Sequence, residues 1–252
     1  MLNLILALIS GVIGGLIVGV IPESKNRLRK LLVLIFAVSS AFFSWRVALS
    51  VFSGENIRLA CELGRLTFSF EPDPLGAVFG LIASTLWLFA AIYSFGYMEK
   101  KHNQRTFFTF LLISLTMTLG VAFSGNLVVL YLFYELLTFS TYPLVVHERS
   151  FEAIKAGKKY ILYSLLGAGA ILIATVITYS WSGNLEFIEE PILKGLFRPG
   201  LNGLLLLFIG GFGVKAAIMP LHRWLPAAMV APTPVSALLH AVAVVYSGVF
   251  GI

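Results

Sequence analysis

NLVVLYLFYELLTFSTYPLVV, Asn126 to Val146, is an apolar run interrupted near its middle by one carboxylate, Glu135. At about 1.5 Å per residue in a helix, a run of this length covers the roughly 30 Å of a hydrocarbon core. In lipid its backbone groups can bond only within their own segment, which makes it a helix. Comparable runs lie at 2–21, 31–51, 75–98, 107–123, 160–180, 201–219 (to about 229 if the helix continues) and 234–252. The expected fold class is all-α, a polytopic membrane helix bundle of about eight transmembrane helices. The stretch 53–74 differs: the alternation Leu66-Thr67-Phe68-Ser69-Phe70, followed by Glu71-Pro72-Asp73-Pro74, predicts a short surface strand or hairpin. Asp73 stands where an N-cap of the third span is expected.

Composition agrees with this reading. Of the 252 residues, 58% are hydrophobic and 12% charged, and the mean hydropathy is +0.92. Soluble domains carry about 25% charged residues, so a bilayer has to solvate much of this surface. The first run has no basic start and is long enough to span, so no cleavable leader is expected. The single cysteine, Cys61, excludes an internal disulfide. No phosphate-binding glycine loop, nucleophile with a base, or metal-ligand cluster is evident, and no cofactor is implied.

The net charge of +6 is an orientation signal rather than a nucleic-acid footprint. Loops on one side carry Lys25, Arg27, Arg29, Lys30, Lys100, Lys101, Arg105, Arg149, Lys155, Lys158, Lys159 and Arg223. The opposite loops carry Arg58, Arg65, Lys194 and Arg198. Positive loops face the cytoplasm, so both termini are expected outside.

Ionisable groups within spans are costly and mark function by default. Of the twelve acidic residues only Glu135 lies in mid-span, and Tyr131, Glu135, Thr138 and Tyr142 share its helix face. The alternative is a static buried Glu satisfied by a neighbouring helix, although a neutral Gln would serve there at lower cost. Lys215 follows Ile209-Gly210-Gly211-Phe212-Gly213-Val214 and precedes Pro220. Glycines allow close helix approach, proline removes a backbone donor, and interrupted helices at mid-membrane point to ion sites. The alternative is a lysine snorkelling to the interface. His240, on a face with Ser236 and Ser247, can exchange a proton near neutral pH, although a lone histidine is commonly a satisfied core residue. His222 would share the Lys215 face only in a helix unbroken by Pro220. Arg46 is a candidate relay residue, with snorkelling or a local pair as the favoured alternative. Lys155, Lys159 and Tyr163 anchor the sixth helix at the interface, and Lys159 is in addition a candidate proton feed. A Glu and a Lys in a low-dielectric site hold each other charged when paired, and separation favours transfer of a proton.

From Lys215 to Gly251 the string KAAIMPLHRWLPAAMVAPTPVSALLHAVAVVYSGVFG resembles the antiporter-like subunits of respiratory complex I, Mrp-type cation/proton antiporters and membrane-bound hydrogenases. The specific elements are Pro-Leu-His-Arg-Trp-Leu-Pro and Ala-Pro-Thr-Pro-Val-Ser-Ala-Leu-Leu-His. The resemblance extends over most of 66–252, through Asp73-Pro74-Leu75, Tyr93-Ser94, Tyr134-Glu135 and Lys159-Tyr160. It implies two regions: 1–106, with three transmembrane helices and an external hairpin, and 107–252, with helices four to eight. The second region includes a broken seventh helix within one five-helix repeat. The resemblance also implies a proton relay of Glu135, Lys215 and His240, supported by Lys159, His222, Tyr246 and Pro220. It further implies a multi-pass bacterial or archaeal cell-membrane location and partner membrane subunits, with any redox centre in those partners. Three departures stand out. Ala227 replaces an acidic residue, Tyr246 replaces a lysine beyond the histidine, and the chain stops at Ile252 before the usual second repeat. A split gene with a partner half, or a shortened paralogue, is expected. A non-conducting structural subunit is the alternative function.

Overall fold

The computed structural model describes residues 1–64, 66–187, 192 and 199–252. Arg65, Lys194 and Arg198, used above for orientation, lie outside the described residues. The order is α1 (Leu2–Val20), α2 (Asn26–Phe52), a hairpin of β1 (Leu59–Leu63) and β2 (Leu66–Phe70), α3 (Pro74–Tyr97), α4 (Gln104–Ala122), α5 (Leu127–Val145), α6 (Phe151–Ser182) and α7 (Leu201–Lys215). A 3-10 turn (Leu221–Arg223), α8 (Trp224–Ala228), α9 (Thr233–Ala241) and α10 (Val244–Gly251) follow. Seven helical stretches among the described residues, with α9 and α10 counted as one, are long and apolar enough to cross a membrane, and α7 is a shorter apolar helix. The protein is a multi-pass membrane helix bundle.

Burial places the helices. In α4, 72% of the apolar window is buried, against 39% in α2 and α6, so α4 is central and the other two face outward. α1 packs on α2 and α4, α2 on α3, α4 on α5, α5 on α6, and α6 on α7. α10 lies against α7, and α9 against α3. The hairpin is antiparallel, with Cys61 opposite Phe68. It is tied to the turn between α4 and α5: Gly125 N donates to Ser69 O at 2.8 Å, and Asn126 Nδ2 donates to Thr67 O at 2.6 Å. Arg58 bridges Glu71 at 3.5 Å and Glu186 at 2.6 Å on the same surface.

Capping explains where the helices begin. Asp73 Oδ1 accepts from Gly76 N at 2.6 Å, with Pro74 in the first turn, as expected of that residue. Asn126 Oδ1 accepts from Val129 N at 2.8 Å. Ser150 Oγ accepts from Ala153 N at 3.1 Å, and Glu152 lies in the first turn. This cap starts α6 at Phe151, ahead of the apolar run expected from 160, so Lys155, Lys158 and Lys159 lie on a helix and not in a loop. Hydropathy marks the part of a helix that lipid can cover, and the polar first turns extend beyond it.

Two breaks matter for the site. α7 ends at Lys215 and does not continue to 229. Ala217 takes a positive φ of 54°, Ala217 N donates to Val214 O at 3.1 Å, and Ile218 N donates to Gly213 O at 2.9 Å. This pair of bonds is a Schellman stop with alanine where glycine is usual. Pro220, three residues on, could not have continued the ladder. The last span is interrupted at Val242: Val242 N (3.0 Å) and Ala243 N (2.8 Å) both donate to Leu238 O. The second of these is a five-residue step of π-bulge type, directly after His240.

Candidate functional site

Lys215 is the last residue of α7 and has no exposed surface. Burying an ammonium is costly without polar partners, and α5 provides them. Its Nζ donates to Tyr134 O and lies 3.5 Å from the centroid of the Tyr134 ring, an ammonium over an aromatic face. Tyr134 is itself fully buried. Its hydroxyl donates back to Gly211 O, one turn before Lys215, at 3.2 Å, and its ring meets the Phe212 edge at 5.4 Å. α5 and α7 are therefore stapled in both directions.

The helix break has its own support. Trp224 Nε1 donates to Val214 O at 2.6 Å from a fully buried position, and the indole packs 5.3 Å from the Tyr160 ring. α10 crosses the break so closely that a Cβ on Gly248 would collide with Ala216 N and Phe212 O. α6 reaches α7 through Gly167 and Gly211, where an added Cβ on either would sit 2.8 Å from the other's carbonyl.

Glu135 adjoins this site but is not in ion-pair contact with Lys215. No ion pair within 4.0 Å among the described residues includes either group, although their charges interact across the site. Glu135 is half-buried, and its Oε1 is buried without a hydrogen-bond partner. Buried polar atoms in folded proteins are bonded to protein or to water, so this oxygen is suited to a water or a moving proton. His240 is similar: its Nδ1 lies 2.5 Å from Ser236 O, and its Nε2 is buried without a partner. The π-type step after His240 separates Ser247 from the Ser236–His240 pair.

The supporting residues divide. His222 is half-buried in the break with Nδ1 unpartnered, and Pro220 opens the 3-10 turn. Lys159 is half-buried on α6. Tyr246 is 44% exposed, with its ring 5.8 Å from Phe79 of α3. Sequence reasoning missed Tyr134 as the direct partner of Lys215 and Trp224 as the clamp on the break. The only signal for either was a large aromatic beside a charged residue or a proline.

At the membrane edge, Lys101 and Glu148 pair at 2.6 Å, each about a third exposed. This bond holds the Glu148 carboxyl below its ordinary range and raises Lys101. His147 is buried, and its ring stacks on His102 at 6.1 Å. Burial pushes His147 down, toward the neutral form.

Residues 124–252 match the family described as NADH:quinone oxidoreductase/Mrp antiporter, TM, and residues 62–108 match NADH-Ubiquinone oxidoreductase (complex I), chain 5 N-terminus. The chain is 33% identical over 191 residues to Na(+)/H(+) antiporter subunit A1 of Staphylococcus aureus strain JH9; the match covers 73% of this chain and 24% of that protein. Its fold superposes on a chain of the membrane-bound sulfane sulfur reductase, an archaeal respiratory membrane complex, with TM-score 0.83 and 28% identity, covering 99% of this chain and 40% of that one. It also superposes on a chain of the Mrp complex from Dietzia sp. DQ12-45-1b with TM-score 0.81 and 22% identity, covering 99% and 27%. The chain thus spans about a quarter of the length of the curated relatives it matches. It is a member of the NADH:quinone oxidoreductase/Mrp antiporter transmembrane family.

Proposed function

We propose that the chain is a cation/proton-translocating subunit of a multi-subunit membrane complex of the complex I-like or Mrp type. The observation that carries this reading is a fully buried Lys215 at a broken helix, close to a Glu135 oxygen without a partner. The ammonium is held by a carbonyl dipole and an aromatic face, neither of which can take its proton. Glu135 and His240 each present a buried atom without a partner that is able to accept a proton. A shift of the α7 end relative to α5 would move Nζ from Tyr134 toward the carboxylate. The break places Lys215 at the end of a helix rather than in its middle, with the chain turning away at Ala217. Partner membrane subunits would cover the exposed apolar faces and continue the path beyond His240.

The test is proton flux in proteoliposomes containing the assembled complex, comparing Glu135→Gln and Lys215→Ala with the wild type. Each substitution is expected to abolish flux while assembly persists. Normal flux in both variants would make this a structural subunit and end the relay reading.

A further inference from the structure

A second buried polar cluster lies between α5 and α6. Tyr160 is fully buried, and its hydroxyl lies 2.7 Å from Oγ1 of Thr141, which is 1% exposed. Either oxygen can be the donor. Thr141 Oγ1 also lies 2.7 Å from Leu137 O and 3.1 Å from Thr138 O. Thr138 and Ser164, both buried, face the same phenol. Ser164 Oγ makes no hydrogen bond of normal geometry. Four hydroxyls from two helices therefore converge where a bilayer protein could hold apolar side chains at lower cost. Packing does not require them, since a Phe at 160 would fill the same space against Trp224.

Their placement connects them to Glu135. Glu135, Thr138 and Thr141 descend α5 at intervals of three residues, about 4.5 Å of rise per step, and Tyr160 lies within the field of the Glu135 charge. The descent runs toward the C-terminal end of α5, beyond which Glu148 pairs with Lys101 at 2.6 Å. A hydroxyl both donates and accepts, so each group can release its own proton to the next as it takes one from the last.

We propose that Thr138, Thr141, Tyr160 and Ser164 form a hydroxyl relay that carries protons between Glu135 and the membrane face bearing the basic loops. This rests on the reading of Glu135 as a proton carrier. Only O–H bonds form and break. Each passage moves one proton and leaves every hydroxyl neutral, with water completing the steps longer than a hydrogen bond. The relay gives the Glu135–Lys215 site a defined route to one aqueous side.

The experiment compares proton flux through the assembled, reconstituted complex for Tyr160→Phe, Thr141→Val, their double variant, Thr141→Ser and Glu135→Gln. Tyr160→Phe and Thr141→Val are each expected to slow flux at least about tenfold, at the low end of what a positioned proton-transfer group contributes. The double variant should be no slower than the worse single one, as for two links of one chain, and Thr141→Ser should restore flux. If Glu135→Gln stops flux while Tyr160→Phe and Thr141→Val run at the wild-type rate, the relay is wrong and the carrier reading stands. Full flux in every variant, Glu135→Gln included, removes both. Losses that multiply in the double variant, with no rescue by serine, assign the cluster to packing and overturn the relay. If Tyr160→Phe does not assemble, the contrast between Thr141→Val and Thr141→Ser decides alone.

Discussion

At the residue scale, the central contact is between Lys215 and Tyr134, and it can be taken apart. Tyr134→Phe keeps the ring under Nζ and loses the hydroxyl bond to Gly211 O, a loss of about 1 kcal/mol in stability. Tyr134→Leu also removes the aromatic face from a desolvated ammonium, a further ~2 kcal/mol. Thermal unfolding of the reconstituted complex should rank wild type, Phe and Leu in that order, with flux largely kept in Phe and lost in Leu. Equal behaviour of the two variants would mean that the ring does not hold the charge. Glu135 and Lys215 were legible in the sequence because a charge in an apolar run is conspicuous on its own. Tyr160, Thr141 and Ser164 were not, because Tyr, Thr and Ser are ordinary in apolar helices and only convergence across two helices sets these apart.

At the element scale, the break after Lys215 depends on what crosses it. α10 meets the backbone of Phe212 and Ala216 at Gly248, and a methyl there has no flexible side chain to displace. Gly248→Ala should destabilise the bundle by about 1–3 kcal/mol, as overpacked cores do, read as a lower unfolding temperature and reduced recovery of the complex. An unchanged unfolding temperature would show that α10 can retreat from the break. The break itself was legible from Pro220, but its position was not. The turn closes at Ala217 through Gly213 and Val214, and alanine gives no warning of a left-handed stop. The start of α6 was misplaced for a related reason, since Ser150 and Glu152 build a cap in a stretch that hydropathy reads as loop.

At the scale of the whole molecule, a pH-sensitive tie joins the α3–α4 and α5–α6 connections. His147 is kept neutral by burial, so the unfolded chain takes up a proton that the folded chain refuses. Its share of stability is full above the unfolded value of about 6.5 and is lost as pH falls through it. Glu148, held low by Lys101, contributes above its unfolded value of about 4.3 and loses that contribution as pH falls toward its lower folded value. The pair is partly exposed, so its effect is the smaller and weakens with salt. Unfolding temperatures measured from pH 8 to pH 5 should fall below about 6.5, and His147→Gln should remove that fall. A fall of the same size in the variant would place its origin elsewhere.

Local properties of the chain determined how many segments can cross a membrane, which of them carry a charge, where a hairpin caps one end, and which family pattern the segment from Lys215 follows. Hydropathy, period and capping all act within a few residues, so a sequence displays them directly. Only the tertiary structure decided that Lys215 rests on Tyr134 and not on the neighbouring Glu135. That contact joins residues 81 positions apart. It depends on the angle and depth at which α7 meets α5, set by the Gly167–Gly211 approach, the Trp224 clamp and the crossing of α10, and no local pattern encodes such a crossing.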